Sequence, residues 1–499
     1  MRRSRDGLFA GEEKMIGTDS SLQTVSFYVN GKFTNAEGRP VMPVTNPATG
    51  AEIAQVAYAS AADVERTVEL AHSAYLTWRE VPVVDRVQPL YRFKALLEQH
   101  ANDLAAALTM ENGKTIEDAR AEVRRSIQMV EVACGMPTLM MGDSLNGIAA
   151  GIDTHTIRQP VGVCAGITPF NFPAMVPMWM WPFAIAAGNV FILKPSEKVP
   201  LTPTMAATLL HEAGLPAGVF NLLHGDKVAV DALLHHPLVR AVSFVGSTPV
   251  AKYIYQTAAA EGKRVQALGG AKNHLVVMPD ADMNKTVDAI IGSAFGAAGE
   301  RCLAGSVLVA VGDAAEPLMA LLTKKTQAMK IGDGSQPGVD MGPLVTREHK
   351  ARVESYIEKG LAEGAKPVCD GRGAKGDGFF VGPTIFDNVR PDMTIAREEI
   401  FGPVLSVIRV KTLDEAIQLV NQSKFGNATS IFTGSGKAAR EYSSRIEVGM
   451  VGVNVGVAAP MAFFPFAGWK NSFFGDLHAH GKDAVMFYTE QKVIMSRWF

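Results

Sequence analysis

Cys302 lies in the stretch Phe295-Gly-Ala-Ala-Gly-Glu-Arg-Cys-Leu-Ala304, crowded by Gly296, Ala297, Ala298, Gly299, Ala304 and Gly305. Small residues of this kind let backbone and ligand approach closely. The residue before the thiol is a fixed cation, Arg301. A neighbouring positive charge lowers a thiol's pKa and raises its thiolate fraction, which suits a nucleophile. A free cysteine is equally at home as a small buried hydrophobe, so this stretch alone leaves both open.

Other polar residues have spacings that suit a phosphorylated ligand. Lys194-Pro-Ser-Glu197 sets a cation and a carboxylate a few residues apart, matched to a phosphate and to ribose hydroxyls. Gly246-Ser-Thr248 follows an apolar run and offers backbone N–H groups at the start of a helix, where anions bind. No GxGxxG fingerprint is present; His224-Gly-Asp-Lys-Val-Ala-Val230 has one glycine where several would be expected. Taken singly, each feature is also what a helix cap or a solvated turn looks like.

The elements that must position these residues alternate. Tyr28-Val-Asn-Gly-Lys-Phe33 reads as short strands about an Asn-Gly turn. Ser60 is placed to cap a helix over 61–78, with Asp63 in its first turn. Helical patterns follow over 85–108 and 116–134, and residues 151–158 alternate as a strand. From Val161 apolar runs (161–167, 190–194, 220–223, 241–245) alternate with helices, which implies a parallel sheet covered on both faces. Ligands of such sheets bind at the carboxyl ends of the strands, where Thr168, Lys194 and Gly246 fall. After Ala267 a second alternating set begins, a second α/β unit. The tail 485–499 reads as a strand whose edge pairs with 151–158, with the same edge of another subunit, or with both.

Composition narrows the class. The 499 residues exceed one small core and suggest about two to four domains. With 48 Lys+Arg against 50 Asp+Glu, scattered rather than clustered, the chain has no basic footprint for nucleic acid or an anionic membrane. Cys134, Cys164, Cys302 and Cys369 are far apart, without metal-ligand spacing or a disulfide framework, and fit a reducing compartment. The uncharged run 168–193 is long enough to raise a membrane span, but Pro169, Pro173, Pro177 and Pro182 break it. Met1-Arg-Arg-Ser-Arg5 lacks the apolar segment of a secretory signal. It reads as a frayed start, with Met15 as an alternative initiator.

Thr168-Pro-Phe-Asn-Phe-Pro173, Lys194-Pro-Ser-Glu197, Phe244-Val-Gly-Ser-Thr248, Gly299-Glu-Arg-Cys-Leu-Ala304 and Glu398-Glu-Ile-Phe-Gly-Pro403 occur in an order and at a spacing that resembles the aldehyde dehydrogenase superfamily over nearly the whole chain. The resemblance implies an α/β fold: a Rossmann-type NAD-binding domain (20–142 and 159–267), an α/β catalytic domain (268–475) and a small β oligomerisation domain (143–158 and 484–499). It implies Cys302 as the nucleophile, and the Asn171 amide with the Cys302 N–H as the oxyanion hole. Lys194 and Glu197 would hold the adenosine ribose, a pattern favouring NAD over NADP. Thr168, Phe170, Gly246 and Gly269 would line the dinucleotide, Lys198 and Ser247 would sit near its phosphates, and Glu399 with Phe401 would bracket the nicotinamide ribose. A homo-oligomer, a tetramer built as a dimer of dimers, is implied as well. The expected location is the cytoplasm, or the mitochondrial matrix in a eukaryote.

Two departures sharpen the expectation. Hydrolytic members carry a glutamate that activates water; here Gln266-Ala-Leu-Gly-Gly270 puts Ala267 at its position. Losing a positioned base costs roughly 10²–10⁴ in such a step, whereas a thiol is a better nucleophile than water near neutral pH. Arginine reads carboxylates bidentately, and Arg301 and Arg125 (with Arg124 the rival of the latter) stand where an acid group on the aldehyde would be held. These features resemble the CoA-acylating branch acting on methylmalonate semialdehyde, which implies NAD, coenzyme A as co-substrate, and acetyl- or propionyl-CoA as product. Ala467 and Trp469 depart from that branch's usual residues. A hydrolytic dehydrogenase with a different base is the alternative.

Overall fold

The computed structural model describes residues 22–34 and 39–499. The readings of the basic start and of Met15 lie outside the described residues.

An eight-stranded sheet runs in the order Phe473–Phe474, Arg264–Leu268, Val239–Val245, Val163–Ile167, Val190–Lys194, Phe220–Leu222, Phe27–Val29, Lys32–Thr34. Its five central strands are mutually parallel and its outer pairings antiparallel. Val163–Ile167 and Val190–Lys194 are buried along their whole length, as uninterrupted apolar runs require when helices cover both faces. Register makes the ligand edge. Ile167 pairs with Lys194 and with Phe244, and Val245 pairs with Leu268. Thr168, Lys194, Gly246 and Gly269 therefore emerge together at the carboxyl ends.

A second sheet runs Lys366–Cys369, Thr384–Asp387, Val404–Val410, Gly305–Val311, Asn273–Val277, Ala428–Phe432, Met450–Val453, parallel except for its first pair. Each sheet has its own apolar core, one around Phe93, Trp181 and Phe191, the other around Phe295, Phe386 and Phe432. A separate three-stranded sheet places Ile152–Pro160 between Ser144–Ala149 and Thr489–Arg497. The tail thus pairs antiparallel with Ile152–Pro160 of its own chain, from Thr489 against Pro160 to Arg497 against Ile152.

Helix Ala61–Trp78 begins with the Ser60/Asp63 capping box, and Ile116–Cys134 spans its expected range. Two expectations need correction. The pattern over 85–108 is three helices, Val83–Arg86, Gln88–Gln99 and Ala101–Asn112. Pro89 occupies the first turn of the second, where a missing N–H costs nothing. The tail is not a strand from residue 485: Gly481–Phe487 is helical, with Asp483 in its first turn, and the strand starts at Thr489. The uncharged run 168–193 is a loop, the short helices Met175–Met178 and Trp181–Ala186, and most of a strand. Among the described residues no helix is long and apolar enough to cross a membrane.

Candidate active site

Cys302 follows a turn of unusual backbone. Ala297, Ala298 and Gly299 have φ of 47°, 53° and 72° in succession. Left-handed conformation costs an L-residue roughly 1–2 kcal/mol, so neighbours must impose it. The Ala297 N–H donates to Asp118 Oδ2 at 3.0 Å, and the Glu300 N–H returns to the Ala297 carbonyl. Gly299 is irreplaceable for space as well as φ, since a Cβ there would lie 2.4 Å from the Gly402 carbonyl oxygen. Beyond the turn, the Cys302 carbonyl accepts from Asn273 Nδ2 at 2.8 Å and Asn427 Nδ2 at 2.9 Å. Strain held by over-determining contacts is characteristic of functional sites.

The thiol opens on a cavity of about 240 Å³. Its walls are charged and apolar together: Lys114, Asp118, Glu122, Arg125, Arg301 and His480 with Met129, Phe172, Met175, Trp179, Leu303 and Phe466. Burial pushes the Cys302 thiol up to about 12, reinforced by the Glu399 carboxylate; the Arg301 charge opposes this only weakly. Arg301 does pull the thiol's pKa down, as expected, but the expected net lowering is corrected. Desolvation outweighs it, and the guanidinium is committed elsewhere, donating to Asp118 Oδ1 at 2.6 Å and the Gly292 carbonyl at 3.1 Å.

Arg125 reaches the cavity, while Arg124 is exposed one position earlier on the same helix. Arg125 donates to the Pro460 carbonyl at 2.7 Å, to Gln128 Oε1 at 3.2 Å and to the Met461 sulfur. Lys114 is paired with Glu122 and Arg301 with Asp118. Among the described residues of this wall, Arg125 is thus the cation with no carboxylate partner. Burial draws the His480 imidazole down to about 4, and its ring nitrogen Nδ1 lies 2.6 Å from the Phe464 carbonyl, so it is a neutral donor.

Asn171 enters the site from the loop after strand Val163–Ile167. Its Nδ2 donates to the Glu300 carbonyl at 2.9 Å, next to the thiol loop, and leaves its second N–H without a protein acceptor among the described residues. Glu300 itself is buried; desolvation raises its carboxyl to about 8, and His349 lies 3.4 Å from it.

The residues expected around a dinucleotide also gather. Lys194 Nζ lies 3.4 Å from Glu197, its pKa lowered by burial against the pull of that carboxylate. Lys198 Nζ sits 5.0 Å from the centre of the Phe170 ring, and Phe170 meets Phe401 edge-on at 5.8 Å. Ser247 precedes helix Thr248–Ala260 without a side-chain cap bond. Glu399 Oε1 accepts the Ala271 N–H at 2.8 Å, and burial lifts its carboxyl to about 7. Gly270 makes room for it, since a Cβ there would meet Glu399 Oε2 at 2.3 Å. The Gly269 N–H is taken by the Ser472 carbonyl at 2.8 Å. Thr168 Oγ1 is buried with no partner, as is Lys272 Nζ close by Glu399 in charge coupling. Unmet buried polar atoms at these strand ends fit a ligand rich in hydroxyls and phosphate.

Lys114, Asp118, Glu122, Asn273 and Asn427 were not singled out from the sequence. Asp118 reads there as a first-turn acid behind the helix cap Thr115, which it also is; nothing local announces the others.

Residues 33–494 match the aldehyde dehydrogenase family. The malonate-semialdehyde dehydrogenase 1 of Geobacillus thermodenitrificans is 52% identical over 482 residues, 96% of this chain and 100% of that one. A malonate-semialdehyde dehydrogenase of Pseudomonas aeruginosa is 52% identical over 96% of this chain and 97% of its own. Among solved structures, methylmalonate-semialdehyde dehydrogenase from Oceanimonas doudoroffii superposes with a TM-score of 0.94 at 51% identity, covering 96% and 99% of the two chains. A Sinorhizobium meliloti relative complexed with NAD superposes with a TM-score of 0.94 at 47% identity, covering 96% and 99%. With the motifs in place around Cys302, the strand ends brought together by register and the match spanning nearly every residue, the chain belongs to the aldehyde dehydrogenase family.

Proposed function

We propose that the chain is an NAD-dependent, CoA-acylating dehydrogenase of malonate and methylmalonate semialdehydes. Cys302 adds to the aldehyde carbon, and the developing oxyanion takes the free N–H of Asn171 and the Cys302 backbone N–H, donors of a kind worth roughly 2.7–4 kcal/mol each. Thr168, Phe170, Lys194, Glu197, Lys198, Gly246, Ser247, Gly269, Glu399 and Phe401 would hold NAD, which would supply the hydride acceptor that lets the hemithioacetal on Cys302 become a thioester. Arg125 pairs with the substrate carboxylate, and Arg301, steadied by Asp118, flanks it. Loss of that carboxylate as CO2, protonation of the α-carbon and transfer of the acyl group to the CoA thiol release acetyl- or propionyl-CoA.

One observation carries the choice of acceptor. Both carboxylates on the cavity wall are already committed, Asp118 to Arg301 and the Ala297 N–H, Glu122 to Lys114 and the Ala174 and Met175 N–H groups. Ala267, fully buried in strand Arg264–Leu268, offers no proton acceptor. No carboxylate is free on this wall to activate water, which favours a thiol as the acceptor of the acyl group. Mass spectrometry of products from enzyme, NAD and malonate semialdehyde tests this. Acetyl-CoA formed with CoA, and no free acid without it, is the expected result; abundant free acid without CoA would contradict it.

The same reading takes the enzyme as a cytoplasmic homotetramer. Exposed Val493 and Met495 on the edge strand Thr489–Arg497, with exposed Trp498 and Phe499 just beyond it, support self-assembly there.

A further inference from the structure

Behind Asn171 lies a buried ion pair. The side chains of Lys114 and Glu122 are 1% and 0% exposed, and they bond directly. Lys114 Nζ also donates to the Asn171 carbonyl at 2.7 Å and stands 4.4 Å over the Phe172 ring. Glu122 Oε1 accepts the N–H groups of Ala174 at 2.9 Å and Met175 at 3.1 Å. Every anchor of this pair falls on 171–175. Asn171 is thereby held at both ends, its carbonyl by the ammonium and its side-chain amide by the Glu300 carbonyl.

A buried ion pair is seldom the most stabilising filling for its space; an apolar pair of the same volume is often as good or better. What an apolar pair cannot do is grip a carbonyl. We propose that Lys114, braced by Glu122, is a positioning residue that aims the free N–H of Asn171 at the oxyanion. The inference rests on Asn171 being an oxyanion donor. Displacing a catalytic group by about 1 Å costs on the order of 10²-fold in rate, which sets the scale of the effect.

The test uses the full-length enzyme with propanal, which has no carboxylate for Arg125, and reads the pre-steady-state NADH burst. Two neutral double variants are compared, Lys114→Met with Glu122→Gln, and Lys114→Gln with Glu122→Gln; only the second keeps an N–H for the Asn171 carbonyl. NAD binding verifies folding. The Met-containing pair should slow the burst about a hundred-fold at unchanged KM, while the Gln-containing pair retains most of the rate. Added to Asn171→Ala, the Met-containing pair should cost nothing further, because residues acting through one group are non-additive. Equal rates for the two pairs, or full additivity with Asn171→Ala, would overturn the inference. A normal burst in Asn171→Ala alone would remove the oxyanion assignment beneath it, a distinct failure.

Discussion

The two sides of Cys302 are built on opposite principles. On the acyl side the charges are satisfied within the protein: Lys114 with Glu122, Arg301 with Asp118, and Arg125 on a carbonyl, an amide and a sulfur. The indole N–H of Trp179 and the second amide N–H of Asn171 are the exceptions among the described residues there. On the dinucleotide side Thr168 Oγ1 and Lys272 Nζ are buried without partners, and burial draws Glu399 and Lys272 both toward about 7. A satisfied wall needs little rearrangement when charge develops, which is how preorganised sites lower barriers. An unsatisfied wall gains from a ligand that completes it. In the proposed reaction the acyl pocket is ready before its substrate arrives, and the dinucleotide side is completed by the cofactor.

The largest effect that would break this contrast concerns the thiol. Raised to about 12 by burial and by Glu399, Cys302 without ligands should carry roughly a thousand-fold less thiolate at pH 7 than an ordinary cysteine. Because the shift is upward, alkylation by iodoacetamide should climb steadily with pH beyond pH 9; a plateau below pH 9 would show that desolvation does not win. Next, Asn171→Ala should lower the acylation rate about 10²–10³-fold with folding intact, measured by stopped-flow NADH absorbance. Arg125→Ala should raise KM for malonate semialdehyde by roughly 10-fold to 100-fold, the worth of a hydrogen-bonded charge, and leave propanal unchanged. Arg301→Lys, which keeps Asp118 paired, should do so less. Smallest is Thr168→Val. Removing an unpartnered buried hydroxyl should raise stability without NAD by about 1 kcal/mol and weaken NAD binding a few-fold, read by thermal melts and titration.

Much of this was legible in the chain and some could not have been. Ser60 and Asp63 announce their helix because a cap is a local contact, and strand-end motifs announce the cleft because parallel register gathers them. Lys114 grips a carbonyl 57 residues away and Arg301 an acid 183 residues away. No spacing rule reaches that far, so the pairing that leaves Arg125 without a carboxylate partner is not legible there. The thiol's pKa was misjudged for a similar reason: the adjacent arginine is written in the sequence, whereas burial and the approach of Glu399 are products of folding. The tail was misread because the apolar alternation starting at Val485 overlaps the last turn of helix Gly481–Phe487.

The central claim is that neither carboxylate on the acyl wall, Asp118 or Glu122, can put water to work on the Cys302 thioester. It is tested most directly by mixing enzyme, NAD and malonate semialdehyde in a stopped-flow cell without CoA, then adding CoA. NADH should rise by a single turnover per active site, stall, and resume when the thiol is supplied. Continuous NADH production before CoA is added, with free acid accumulating, would contradict it.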